Sequence, residues 1–316
     1  MGRHTAIECP ELDRLVDDAC AAVGREIEAQ HIPRLAGVVL GGGYGRGEGG
    51  VRGRGLYNDL DFFAITEDGV SADELAAVAS ALEPVSKEWT GRLGVDVDFT
   101  VRTPWRIKHD EDRLMIQELV RGYFDVAGLK GERLFGHIRL NDASKVPWME
   151  AARLLMNRGM GLLLAKGRET GDAAARDFAT RNVNKCVLGA GDAKLVARHG
   201  YRWKAVEREE ALGDALYKAA VEWKFRPREE AVCGWKAAQR CWCGAFEEVM
   251  EAGRGEGALS RSVWEGARWV VRRRALGPLS GLGRNCTVRV LERVAECVRE
   301  GRQPDDALTR DWRIFN

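Results

Sequence analysis

Apolar residues recur every three or four positions between Pro10 and Gln30, at Leu12, Leu15, Val16, Ala19, Val23 and Ile27, and predict an amphipathic helix with one buried stripe. A short apolar run from Ala36 to Leu40 has the length of a strand. After a glycine-dense loop the pattern becomes strict alternation, with Leu60, Phe62 and Ala64 on one face of a second strand and Asp59 and Asp61 on the other. Ser71 with Glu74 forms a capping box that opens a helix running to about Glu88. Alternation returns from Gly94 to Val101, placing Val95, Val97, Phe99 and Val101 on one side and Asp96, Asp98 and Thr100 on the other. Thr103-Pro104 closes that strand, Asp110 to Arg121 reads as helical, and the glycine-punctuated segment from Phe124 to Gly136 predicts one or two further strands. Together these elements predict an α+β domain over residues 1–140, with a small mixed sheet flanked by helices.

From residue 141 to 316 the period is helical almost throughout, which predicts an all-α bundle. Trp203, Trp223, Trp235, Trp242, Trp264 and Trp269 are spaced along it, as residues that knit a bundle core would be. Breakers at Gly167–Gly171, Pro227, Gly253–Gly257 and Gly277–Gly283 separate the helices.

The chemistry concentrates between Leu35 and Ile65. Asp59 and Asp61 share one face of a strand, where two carboxylates repel each other unless a cation sits between them. Hard oxygen donors of this kind suit Mg²⁺, completed by substrate phosphates. A neighbouring strand carrying Asp98 would add the third carboxylate that a two-metal transfer site uses. Nine glycines between Gly41 and Gly55 make the intervening loop costly to order, and a loop that orders around phosphates accounts for them better than a purely structural role. Arg46, Arg52 and Arg54 would add positive charge there. Gly45, Gly47 and Gly50 match the dinucleotide fingerprint in spacing, but the polar VRGRGLYN that follows is no helix, and the loop lacks the lysine of a phosphate-binding P-loop.

Glycine turn, Asp-x-Asp strand and later acidic strand, in that order, resemble the nucleotidyltransferase superfamily that includes DNA polymerase beta, the aminoglycoside nucleotidyltransferases and the CCA-adding enzymes. The resemblance covers about the first hundred residues; the helical half is similar in layout alone. It implies a Mg²⁺-dependent enzyme using two ions, with Mn²⁺ able to substitute, that moves a nucleotidyl group from an NTP, ATP foremost, to an acceptor hydroxyl and releases pyrophosphate. In that reading Gly42 and Gly43 form the turn, Tyr44 and Arg46 continue the nucleotide-binding stretch, and Asp59, Asp61 and Asp98 are the catalytic metal ligands, with Asp96 the substitute for Asp98. The loop from Gly43 to Asp59 is a few residues longer than usual for these proteins. Polymerase-like members also bring a lysine and a tyrosine from the helical domain to the triphosphate; Lys185 and Tyr201 are the residues offered for those parts, and a solvated helix face is the alternative. Lys185, Asp192 and His199 recur at intervals of seven on one expected helix face.

Composition narrows the field. The 316 residues carry a net charge of +1, which gives no global attraction to nucleic acid or membrane. No apolar run reaches the length of a membrane span, and the first residues lack a signal-peptide core, so a cytoplasmic protein is expected. Ten arginines against four glutamates between Arg261 and Arg302 would suit an RNA acceptor, or simply balance acidic helices, the favoured reading. Cys233, Cys241 and Cys243 lack paired zinc-ligand spacing and are expected to fill core. Two readings from other classes remain: a nucleotide-binding regulatory protein without turnover, and an RNA-binding module built on the basic helices. The acceptor is undetermined among small molecule, protein, RNA end and nucleotide.

Overall fold

A computed structural model of the protein describes residues 2–255 and 286–315. The chain divides into two compact units, one formed by Met1–Asn141 with Lys224–Pro227 and the other by Asp142–Trp223 with Arg228–Asn316. The sequence alone gave no sign that Lys224–Pro227 belongs with the first.

The first unit opens with helix α1 (Pro10–Gln30), whose Pro10 occupies the first turn, where its missing N–H costs no hydrogen bond. Leu12, Val16, Ala19, Val23 and Ile27 are buried as the spacing predicts, whereas Leu15 is exposed at the margin of the stripe. Strand β1 (Leu35–Leu40) leads into a single helical turn, α2 (Gly42–Gly45), then a minimal hairpin of β2 (Val51–Arg52) and β3 (Gly55–Leu56). Strand β4 (Leu60–Thr66) follows, and α3 (Ala72–Leu93) opens on the Ser71–Glu74 capping box. That helix continues past Glu88 to Leu93, carrying Pro84 within it. Strand β5 is Val97–Arg102, α4 is Pro104–His109, α5 is Leu114–Arg121, β6 is Phe124–Gly128 and α6 is Gly131–Phe135. The segment expected to hold one or two strands therefore holds one strand and one short helix, and the helix expected from Asp110 begins at Leu114, after the separate α4.

The four main strands lie in the order β5-β4-β1-β6, a mixed sheet in which β5 and β4 are parallel and the other pairs antiparallel. Its two faces are covered by different helices. Leu60, Phe62 and Ala64 pack with Val16 and Val23 of α1 and Val78 and Leu82 of α3, as the alternation predicts. The opposite face is polar only at its start: beyond Asp61, Phe63 and Ile65 are buried against Ile107, Ile116, Leu119 and Phe135. Alternation exposed a polar face on paper; helices α4 to α6 close it everywhere except at the carboxylates.

The second unit is helical in its described residues. It comprises α7 (Trp148–Ala165), α8 (Ala173–Ala197), α9 (Ala205–Leu212), most of α10 (Ala215–Phe225), α11 (Trp235–Gly255), α12 (Cys286–Glu300) and α13 (Asp306–Phe315). Trp242 is fully buried, and its indole N–H donates to the Leu155 carbonyl at 2.9 Å, satisfying the polar edge of an otherwise apolar side chain. Trp223 is buried too, while Trp203 precedes α9 in a loop. Trp264, Trp269 and the stretch of basic residues from 261 to 285 lie outside the described residues. Cys186, Cys241 and Cys243 sit on helices, Cys233 precedes α11, and burial holds their thiols above the usual range. No described helix is long and apolar enough to cross a membrane.

Candidate active site

The parallel pairing of β4 with β5 sets Asp61 level with Asp98. The Leu60 amide donates to the Asp96 carbonyl at 2.8 Å, a bond of the Leu60–Val97 rung. Partners on adjacent strands point to the same side about 4.8 Å apart. Asp61 and Asp98 therefore share one rung, and Asp59 and Asp96 immediately precede the two strands. The charge density is felt: burial first, then the neighbouring Asp59 and Asp96 charges, raise the Asp98 carboxyl above the usual carboxylate range. Asp98 and Asp96 are exposed, so the burial felt by the Asp98 carboxyl is partial, and Asp59 and Asp61 are half-buried. Among the described residues no three His, Cys, Asp or Glu side chains are gathered closely enough to hold a metal ion. In donor chemistry the four aspartates suit Mg²⁺; their side chains are not drawn together into a cage.

The glycine turn abuts this rung. The Gly41 amide donates to the Asp61 carbonyl at 2.8 Å, and Gly42 adopts φ +60. A Cβ on Gly42 would overlap the Asp61 carboxylate, within 2.9 Å of its Cγ, whereas a Cβ on Gly43 would meet nothing closer than 3.5 Å. The two glycines of the expected turn thus have different reasons for being glycine, and only Gly42 is obligatory on both backbone and steric grounds.

Tyr44 is fully buried. Its hydroxyl donates to the Gly50 carbonyl at 2.8 Å and accepts from the Tyr57 amide at 3.0 Å, and burial pushes its pKa up to about 12. The ring is buried, and the loop is wound around it. Arg46 is also engaged: its guanidinium lies 3.2 Å from Glu118 and 3.8 Å from Glu48, and Glu48 in turn is 2.6 Å from the Lys224 ammonium. Glu48 is buried, so these cations offset what would otherwise be an unpaired charge in the loop. Arg52 stacks over Tyr57, its guanidinium 5.5 Å from the ring centre, and Arg54 is exposed. Glu48 and Lys224 escaped the sequence reading. A lone acidic residue in a loop of glycines and arginines was a signal for the first; nothing pointed to the second, 176 residues away.

Lys185 and Tyr201 belong to the second unit. Lys185 lies half-buried on α8. That helix ends at Ala197, so His199 does not share its face with Lys185 and Asp192: it adopts φ +55 beyond the cap, with Nδ1 3.1 Å from the Ser144 carbonyl. Asp192 is paired with the buried Arg208 at 3.0 Å. Tyr201 is buried beside them, accepting from Arg208 Nη1 at 3.0 Å and meeting Trp203 edge-on. Its hydroxyl is engaged inside the unit. Tyr201→Phe is expected to cost about 1 kcal/mol in chemical denaturation, the worth of one such hydrogen bond, and to leave nucleotide affinity unchanged.

No protein-family model and no curated protein matches this chain. Among solved structures the chain is similar to the spectinomycin adenyltransferase from Enterococcus faecialis, crystallised with ATP and spectinomycin. The identity is 14%, over 73% of this chain and 98% of that one, with a TM-score of 0.37. A likeness that weak assigns neither activity nor substrate.

Proposed function

We propose that the first unit is a nucleotidyltransferase site that moves a nucleotidyl group from an NTP, ATP foremost, to an acceptor hydroxyl, releasing pyrophosphate. The observation that carries this reading is the carboxylate rung of Asp61 level with Asp98, with Asp59 just before it in the chain and Gly42 pressed against Asp61. Asp59, Asp61 and Asp98 are the residues that would hold Mg²⁺, with Asp96 in reserve. Bound Mg²⁺ would supply neutralisation of the triphosphate and of the charge that builds as pyrophosphate leaves. The protein's own part begins with the backbone at Gly42, which leaves space beside Asp61 that any side chain would fill. Asp98, level with Asp61 across the parallel pair, would complete the carboxylate set beside the acceptor hydroxyl.

A second reading, nucleotide binding without turnover, is favoured by one observation: among the described residues no three potential ligands converge. One assay separates the two. Pyrophosphate release is measured from each of the four NTPs with Mg²⁺ or Mn²⁺, with RNA or a metabolite extract as acceptor and the Asp59→Asn protein as blank. Release above the blank supports transfer, and the labelled product names the acceptor. Measurable NTP binding with no release under any combination supports the silent reading and refutes the first.

A further inference from the structure

The N-terminal segment closes over the back of the glycine turn. Ala6 donates its amide to the Gly49 carbonyl at 2.9 Å, and the Gly49 amide returns to the His4 carbonyl at 3.0 Å. Asp13 anchors the segment from α1, its carboxylate accepting from the amides of Arg3, His4 and Thr5 and from the Thr5 hydroxyl. The His4 side chain has no exposed surface. Its Nδ1 lies 3.2 Å from the Tyr44 carbonyl, its Nε2 lies 3.0 Å from the Asp17 carboxylate, and its ring meets Phe124 edge-on at 4.5 Å.

The two acceptors lie on separate elements, one on the glycine turn and one on α1. We infer that His4 clamps the glycine turn, tying the Tyr44 carbonyl to Asp17 of α1 through its buried ring, and that it is a positioning residue for the candidate site. A turn made largely of glycine has few side chains by which to be held, so it is held through its backbone instead. Asp17 is shared with Arg3, whose guanidinium lies 3.0 Å away, so the carboxylate is fixed from two sides. Part of this inference, that the clamp matters for nucleotide, rests on the function proposed above; the clamping does not.

One measurement on the full chain tests the clamp without any assay of turnover. In His4→Phe, which keeps a ring but has no nitrogen to reach either acceptor, amide hydrogen exchange at Gly45, Gly47 and Gly49 is expected to speed up about tenfold or more, while β1 and β4 exchange as before. Unchanged exchange in the loop, or equal acceleration throughout the unit, overturns the inference. NTP affinity is then compared between the two proteins. A tenfold loss on substitution supports positioning, and equal affinity refutes that part. Should the unsubstituted protein bind no NTP, the proposed function falls and the positioning role with it, while the exchange measurement still decides the clamp.

Discussion

Asp59→Asn and Asp61→Asn are each expected to reduce pyrophosphate release by at least about a thousandfold, the scale of losing a principal electrostatic contact in a transfer site, while circular dichroism and thermal unfolding stay near those of the unsubstituted protein. Both side chains lie at the uncovered end of a face whose later positions are core, so neither substitution removes apolar packing. Full activity in either variant would sink the assignment. Asp98→Asn separates function from stability. Its carboxyl sits above the usual range in the folded protein, through burial and then the Asp59 and Asp96 charges. The folded state therefore holds this proton more tightly than the unfolded chain does. That favourable contribution is fully present below the ordinary aspartate pKa and is lost as pH rises through the raised one. At neutral pH the ionised group is a liability, and Asp98→Asn is expected to be inactive yet slightly more resistant to heat than the parent. The difference should vanish near pH 3. A variant that is less stable at pH 7 than at pH 3, relative to the parent, would contradict the charge crowding.

Gly42→Ala is expected to be the most damaging single-methyl change in the first unit's glycine turn. At φ +60 the alanine would be strained, at a cost of about 1–2 kcal/mol, and its Cβ would also collide with the Asp61 carboxylate. The carboxylate must turn away or the turn must shift, so release of pyrophosphate is expected to fall at least about a hundredfold, as misplacement by an ångström does. Gly43→Ala is the matched control. It has ordinary van der Waals space and is not in the left-handed region, so activity within a fewfold of the parent is expected. Equal loss in both proteins would mean that the turn fails through flexibility rather than through contact with Asp61.

The class of the first unit's elements was legible in the chain because side-chain periodicity is a local property. Alternation through Leu60, Phe62 and Ala64 determined which residues of β4 pack with α1 and α3, and it put Asp59 and Asp61 on the other side before any partner was known. The capping box at Ser71 and Glu74 is equally local, and so is the amphipathic stripe of α1. Even there the margins escaped: Leu15 fits the period but falls outside the buried arc, and α3 runs through Pro84 to Leu93.

What only tertiary structure decided are the meetings between residues far apart in the chain. The sequence offered Asp98 and Asp96 as alternatives; the parallel register sets Asp98 against Asp61, while Asp96 lies just before the strand. Tyr44 and Tyr201 carry groups that suit a ligand, but their hydroxyls are consumed by Gly50, Tyr57 and Arg208 in buried surroundings. Lys224 reaches Glu48, and His4 reaches Tyr44 and Asp17, across separations that no period or motif spans. A sequence by itself determines which way a side chain faces along its own strand or helix, because that follows from backbone geometry. Which partner it finds there depends on how the elements pack, because buried donors and charges are satisfied by whatever the fold brings within reach.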